Sequence, residues 1–333
     1  MKLRAAVHRL VLRTPLTIAG HSFESHDVLR LEVEHAKRTA RAEAAGVFYL
    51  GDTAQALLDQ AMALPIADCH HLEDLERLIR GLPAGGVKNA LDWAAWQLRA
   101  EVADTPAWKL AHLSHISPLP TTVTIGAESP ESMAATATAL HWAPALKLKL
   151  DGGSQDVARV RAVREARADA RLLVDANQGW DLQRLIDWSP MMSALGVELI
   201  EQPLPRHQDA ELEGKDWPVP LAADESLQTI ADLAYVSRRY TVANVKLDKC
   251  GGLSEALPLI HAARKSGLGV MVGCMLGTSL SLRPAYIAGQ FADLVDLDAP
   301  LLLRADSEPS ASYVKGLVHF PTEAFNGLDV RSS

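Results

Sequence analysis

Hydrophobic and polar positions follow two different patterns along this chain. Up to about residue 115, the stretches 4–12 and 28–33 alternate as half-buried strands do, the chain turns helical from Thr53, and 87–103 (VKNALDWAAWQLRAEVA) has the spacing of an amphipathic helix. Strands followed by helices predict an α+β unit. From Leu119 a short apolar run followed by a helical stretch recurs, with runs at 122–126, 145–150, 171–176, 197–201, 219–224, 242–247, 268–273 and 294–297. Every run but the last leads into a helical segment, SQDVARVRAVREARAD and SEALPLIHAARKSG among them. Eight strands alternating with seven helices predict parallel βα units that close into a barrel, an open doubly wound sheet being the alternative on pattern alone. After about residue 303 the repeat stops, and FPTEAFNGLDV reads as an irregular segment returning to the first unit.

A length of 333 residues suits one large domain or two ordinary ones. Hydrophobic residues make up 48 % and charged residues 22 %, which excludes a disordered or collagen-like chain. With 33 basic against 41 acidic residues the net charge is −8, so nucleic acids and anionic membrane surfaces are disfavoured as partners. Cys69, Cys250 and Cys274 lie far apart without a CxxC pair, which signals neither a disulfide framework nor a zinc site and fits a reducing, cytoplasmic setting. Arg4, His8, Arg9 and Arg13 interrupt the N-terminal apolar stretch where a secretory signal would be uncharged. No window reaches about 18 uninterrupted apolar residues, so no membrane-spanning helix is expected.

In a parallel barrel, catalytic groups sit at the C-terminal ends of the strands. The second run, ALKLKLD, places Lys147 and Lys149 two apart and so on one side of the sheet, which turns two lysines into the barrel. The third, LLVDAN, ends in Asp175 and Asn177; the fourth, ELIEQP, in Glu201; the fifth, LAADES, in Asp224 and Glu225; the sixth, NVKLDK, in Lys246, Asp248 and Lys249. Any one of these alone reads as a turn or a helix cap. Together, Asp175, Glu201 and Asp224 stand one βα repeat apart at three adjacent strand ends. Uncompensated carboxylates so close repel, and a hard divalent cation bound through oxygen would hold them; Mg2+ is the expected ion, and Mn2+ fits the ligands nearly as well. Lys149 and Lys246 come from the second and sixth strands, on opposite sides of the mouth. Two amines facing each other across a substrate suit inversion of a carbon next to a carboxylate, the metal stabilising the enediolate that forms when the α-proton leaves. A lysine base needs a pKa depressed from about 10.4, and Lys147 and the metal are expected to push that way.

KLKLD, VDANQGW, IEQPLP, AADES and NVKLDKCGGL, in this order and at one-repeat spacing, resemble the enolase superfamily, specifically its muconate-lactonising subgroup, and LPAGGVKNALDWAAWQL extends the likeness into the first unit. The resemblance implies an α/β fold, a (β/α)7β TIM-type barrel over 117–303 with an α+β capping domain over 1–116 to which 304–333 returns. It implies metal ligation by Asp175, Glu201 and Asp224, an acid/base pair of Lys149 and Lys246, and supporting places for Lys147, Asn177 and Glu225. Members similar to mandelate racemase carry a histidine base at the end of strand seven. Here that end reads VMVGCMLGTS, and the nearest histidine, His261, falls in a helix, so the two-lysine class is favoured. Strand eight, DLVDLDAP, sets Asp296 and Asp298 on one face, where they either cap the next turn or meet a cation. The DxD pattern resembles the dipeptide epimerases of the subgroup, where it is associated with the α-ammonium of the N-terminal residue. The implied substrate is an L-Ala-Xaa-type dipeptide inverted at the α-carbon of its C-terminal residue, with Cys274 and Met275 beside it.

In relatives acting on L-Ala-L-Glu, a loop after a TPF-like start carries arginines for the second carboxylate. The corresponding TPLTIAGHSFES has no arginine between Thr14 and Asp27. Gly20, His21, Ser22 and Phe23 are expected to form a small, partly apolar lid, with 47–50 as a second apolar stretch, so a neutral or hydrophobic C-terminal residue is expected over an acidic one. Gly251, Gly252, Gly273 and Gly277 lack the spacing of a phosphate loop and are expected to let the backbone approach the substrate. Cys69-His70-His71 has no partner for a metal site, and Trp93, Trp96 and Trp142 read as packing. Competing readings on the same scaffold are N-acylamino acid racemisation and o-succinylbenzoate synthesis; Asp296 and Asp298 argue against them, because an N-acylated substrate has no ammonium. A non-catalytic binding barrel is disfavoured by the intact lysines and ligands. A homo-oligomer is compatible with the sequence.

Overall fold

Alternation in the first unit builds a three-stranded antiparallel meander, in a computed structural model that describes residues 1–18 and 21–326. Its strands are β1 (Lys2–Ile18), β2 (His21–His35) and β3 (Arg38–Ala44). β1 and β2 outrun the stretches expected from the pattern, since pairing resumes past an irregularity between Val11 and Leu16 and continues to Ile18 opposite His21. The expected lid is therefore the end of a hairpin, with Gly20 outside the described residues. Helices α1 (Ala54–Met62), α2 (Leu72–Gly81), α3 (Gly86–Val102) and α4 (Ala107–Leu110) follow. α3 is buried along almost its whole length because it lies between two partners. One is β3. The other is the barrel, where Trp96 Nε1 donates to Ser254 Oγ at 2.9 Å and Lys88 pairs with Glu255 at 2.6 Å.

After a two-residue strand, β4 (Leu119–Pro120), come β5 (Val123–Ile125), β6 (Ala145–Lys149), β7 (Arg171–Asp175), β8 (Val197–Glu201), β9 (Leu221–Ala223), β10 (Val242–Lys246), β11 (Gly269–Gly273) and β12 (Leu294–Asp296). From β5 to β12 these are parallel neighbours in chain order, each within a run expected from the pattern. The first and last meet where Thr122 N donates to Val295 O at 3.1 Å and Leu297 N to Thr121 Oγ1 at 2.9 Å, closing the barrel. In β6 every residue is buried. Period-two alternation sends Leu146 and Leu148 out to the main core and Lys147 and Lys149 inward. Leu173, Leu199, Ala222 and Met271 form an apolar cluster of their own, two positions before Asp175, Glu201, Asp224 and Gly273, and so floor the mouth.

The outer layer is α5 (Pro130–Ala139), α6 (Asp156–Ala166), α7 (Leu182–Ala194), α8 (Leu233–Val236), α9 (Leu247–Cys250), α10 (Leu253–Lys265) and α11 (Ser279–Gly289). Full helices are expected after the fourth and fifth runs, and the fold departs from this. Between β8 and β9 there is only a 3-10 turn, Asp209–Leu212, and between β9 and β10 a second 3-10 turn and the four-residue α8. Pro203, Pro205, Pro218 and Pro220 lack the N–H groups that a helix needs. The buried Asp209 organises this stretch instead, accepting from Ser226 Oγ at 2.5 Å, Tyr235 Oη at 2.6 Å and Tyr240 Oη at 2.8 Å.

Past the barrel, the chain touches the cap where Leu303 bridges Leu12 and Arg304 N donates to Val11 O at 2.9 Å. It then forms a hairpin, β13 (Ser312–Val314) and β14 (Leu317–His319), that pairs with β4. From there Phe320 and Phe325 pack on Tyr286 of α11, so this part of the tail lies on the barrel. All three cysteines are free thiols. Among the described residues, no helix is long and apolar enough to cross a membrane.

Because Leu148 is fully buried between two inward lysines, Leu148→Ala is expected to lower the unfolding free energy by about 2–5 kcal/mol. Urea denaturation measures this, and a loss below about 1 kcal/mol would contradict the packing.

Candidate active site at the barrel mouth

Strand register assembles the site. Cα partners run Lys149, Asp175 and Glu201 across β6, β7 and β8, and Lys246, Gly273 and Asp296 across β10, β11 and β12. These positions are strand C-termini, so their side chains ring one mouth. Gly273 is small for a local reason: a Cβ there would come within 2.9 Å of Asn244 Oδ1 and 3.1 Å of Lys246 Cε. Gly273 thus makes room for Lys246. Gly251 and Gly252, at φ of 100° and 112°, likewise face Lys88 and Asp92 of α3 and seat the cap helix.

One carboxylate oxygen each of Asp175, Glu201 and Asp224 lie within 4.8 Å of one another, and all three residues are buried. Among the described residues no other such cluster occurs. Lysines surround them. Lys149 Nζ donates to Asp175 Oδ2 at 2.6 Å, Lys246 Nζ to Asp224 Oδ2 at 2.6 Å, and Lys249 Nζ to Asp224 Oδ1 at 2.6 Å. Lys147 Nζ lies 2.7 Å from Glu201 Oε2 and 3.2 Å from Asp175 Oδ2, and donates to Asp296 Oδ2 at 2.7 Å. Asn244 Nδ2 donates to Glu201 Oε1 at 2.9 Å.

The carboxyls divide by how well they are compensated. Burial raises Asp175 and Asp224, but Lys149 and Lys147 bring the first down to about 2, and Lys246 and Lys249 hold the second well below its ordinary value. Burial and then Asp175 push Glu201 up to about 7, and burial and then Asp224 push Glu225 up to about 8. Lys147 approaches Glu201 Oε2 without hydrogen-bond geometry, so among the described residues that buried oxygen has no donor, and neither has Glu225 Oε2. Three converging carboxyl groups, one of them with an unsatisfied buried oxygen, suit a hard divalent cation, with Asp175, Glu201 and Asp224 as the residues that could hold it. For Lys246, burial lowers the amine pKa, yet Asp224 and Glu201 outweigh it and hold it above its ordinary value. The depressed lysine expected from its cationic neighbours is therefore not produced by the protein's own charges, because the carboxylates dominate.

The two aspartates of strand eight differ in how far the protein's own charges compensate them. Asp296 already has Lys147, which overrides burial and holds its carboxyl below the ordinary value, and accepts from Thr122 Oγ1 at 2.5 Å. Asp298 differs: burial and then Asp296 push it up to about 6. It accepts from Thr124 N at 2.6 Å but has no ion pair among the described residues.

Lys147, Lys149, Asn177, Asp224, Glu225, Lys246, Cys274, Met275, Asp296, Asp298 and Phe23 line one cavity. Asp175 and Glu201 lie buried beside it. Asn177, at φ 42°, returns its backbone N–H to Asp175 Oδ1 at 2.9 Å. His21 is exposed at the hairpin end and is not part of the lining. Leu16, His26, Phe48, Tyr49, Thr124 and Leu276 also line the cavity. Of the polar groups missed in the sequence, Asn244 was within reach, since it stands two before Lys246 on the same face. His26 and Thr124 carried no comparable signal.

Residues 131–331 match the family described as Enolase C-terminal domain-like. The chain is 36 % identical to the L-Ala-D/L-Glu epimerase of Escherichia coli (strain K12), over 92 % of this chain and 96 % of that one. It is 40 % identical to the N-acetyl-D-glutamate racemase of a Pseudoalteromonas species, over 73 % of this chain and 76 % of that one. It superposes with a TM-score of 0.92 and 34 % identity on an enolase family member from Agrobacterium tumefaciens with homology to dipeptide epimerases, solved with sodium and L-Ala-L-Glu, covering 97 % of this chain and 99 % of that chain. The protein belongs to the enolase superfamily.

Ligand carboxyls must be ionised to hold a cation. With Glu201 at about 7, Mg2+ binding at pH 6 is expected to expel close to one proton, and affinity is expected to rise as pH increases from 6 to 8. Calorimetry at pH 6 in buffers of different ionisation enthalpy reads the proton directly; buffer-independent heats would contradict the assignment.

Proposed function

We propose that the protein is a Mg2+-dependent dipeptide epimerase, an isomerase that inverts the α-carbon of the C-terminal residue of an L-Ala-Xaa-type dipeptide by 1,1-proton transfer between Lys149 and Lys246. The observation that carries this reading is the pair of amines on strands four apart in an eight-stranded barrel, lining the same cavity on either side of the carboxylate cluster. The E. coli relative, named L-Ala-D/L-Glu epimerase, and the L-Ala-L-Glu-bound Agrobacterium structure support it.

Mg2+, or Mn2+ on the same oxygen ligands, would supply positive charge for the substrate's carboxylate when bound by Asp175, Glu201 and Asp224. The remaining steps fall to side chains. Neutralising the three ligands removes the charge that holds Lys246 protonated, so one lysine can accept the α-proton while the other, on the opposite face, returns one. Lys147, fixed by Asp296 and Glu201, faces the developing anion as a permanent cation. Asp298, which has no ion pair among the described residues, receives the N-terminal ammonium.

N-acylamino acid racemisation is the second reading, favoured by the N-acetyl-D-glutamate racemase at 40 % identity. o-Succinylbenzoate synthesis, on the same scaffold, has no comparable relative among those described. Asp298 separates the two acyl states. A free ammonium pairs with it, whereas an N-acyl group leaves it buried and unpaired.

In deuterated water with Mg2+, one α-hydrogen of the C-terminal residue is expected to exchange, followed by mass. Absence of exchange in every free-ammonium dipeptide would overturn the dipeptide reading. Lys149→Ala and Lys246→Ala should each reduce turnover by about 10²–10⁴-fold and stop exchange from one stereoisomer only. Equal residual exchange from both isomers would contradict opposed bases.

A further inference from the structure

Beyond the amines and carboxylates of the mouth, the cavity wall carries, among the described residues, the imidazole of His26. It stands on β2 opposite Leu10, within the hairpin that forms one side of the cavity. Its Nε2 is buried and has no hydrogen-bond partner among the described residues. The wall near the cap is otherwise largely apolar, with Leu16, Phe23, Phe48, Met275 and Leu276. The neighbouring Asp27 is engaged elsewhere, in a salt bridge with Arg9 at 2.9 Å.

We propose that His26 is a specificity-determining residue, selecting substrates whose inverted residue carries a hydrogen-bond acceptor at the end of an aliphatic stem, the glutamate and glutamine class. The stem would lie on the apolar wall and the terminal oxygen would accept from Nε2–H. An apolar side chain of equal length fills the same wall but leaves a buried ring nitrogen unpaired, and that difference produces selectivity. Burial lowers the pKa of the ring below its ordinary value, so a neutral donor is available, and a carboxylate beside it favours the protonated ring. This amends the expectation of a neutral or hydrophobic residue drawn from the missing arginines: the polar anchor is supplied further along the hairpin by a histidine.

The inference rests on the site taking an α-amino acid derivative, and its test separates it from the dipeptide reading. kcat/KM is measured for L-Ala-L-Glu, L-Ala-L-Gln and the near-isosteric L-Ala-L-Met, and in parallel for the three N-acetyl amino acids. Wild type is expected to favour Glu or Gln over Met by tenfold or more, the preferred one of the two showing whether the oxygen belongs to a carboxylate or a carboxamide. His26→Leu is expected to lower that ratio at least tenfold, and His26→Gln, which keeps an N–H donor, to retain most of it. A wild-type preference for Met, a ratio unchanged in His26→Leu, or a ratio lost equally in His26→Gln overturns the proposal. Should only the N-acetyl series turn over, the dipeptide reading falls, while the same ratios within that series still decide the role of His26.

Discussion

Asp175, Glu201, Asp224, Asp296 and Asp298 are buried in one barrel mouth, where their mutual repulsion has to be balanced by charge the protein itself carries. Lys147, Lys149, Lys246 and Lys249 provide it, each within hydrogen-bond distance of at least one carboxylate oxygen. Lys147 is the common point, reaching Asp175, Glu201 and Asp296 from one fully buried nitrogen. The compensation is incomplete in a particular way. Glu201, Glu225 and Asp298 remain above ordinary carboxyl values, and those are the places where an outside cation, metal or ammonium, gains most by entering.

Such a lattice requires strict register. A slip of one residue in β6 would exchange Leu146 and Leu148 with Lys147 and Lys149, burying amines against the helices and emptying the mouth of its cations. The apolar floor of Leu173, Leu199, Ala222 and Met271 resists that slip, because the same alternation holds those strands in phase. Gly273 completes the ring by leaving space for Lys246.

The cap is tied to this ring by buried polar contacts. Asp248, two residues after Lys246, accepts from Ala45 N at 3.1 Å and Asn89 Nδ2 at 3.0 Å. Glu43 accepts from Thr278 N at 2.6 Å while pairing with Arg30. Across the cavity, Gln228 Nε2 donates to Tyr49 Oη at 2.9 Å. These contacts fix where Phe23, His26, Phe48 and Tyr49 stand relative to the amines, so one cavity takes its largely apolar wall from one unit and its charged groups from the other.

The barrel and its ring of charge were legible from the sequence because both obey short-range rules. Period-two alternation locates strands and the side each residue faces, and a spacing of one βα repeat each puts Asp175, Glu201 and Asp224 at equivalent strand ends. Where prolines crowd the segments after β8, the repeat promises helices that the backbone does not form. What lay beyond the sequence depends on groups distant in the chain. That Lys147 neutralises Asp296, that Asp298 has no ion pair among the described residues, that carboxylates hold Lys147 and Lys246 protonated, and that His26 reaches the cavity are all set by groups on other strands, from 22 residues away for Lys246 and Asp224 to 149 for Lys147 and Asp296, or by the lie of the hairpin over the mouth. The sequence by itself determined which charges face inward; only tertiary structure decided which of them cancel, because ion pairing in a buried site falls off within a few ångströms and no spacing along the chain encodes that distance.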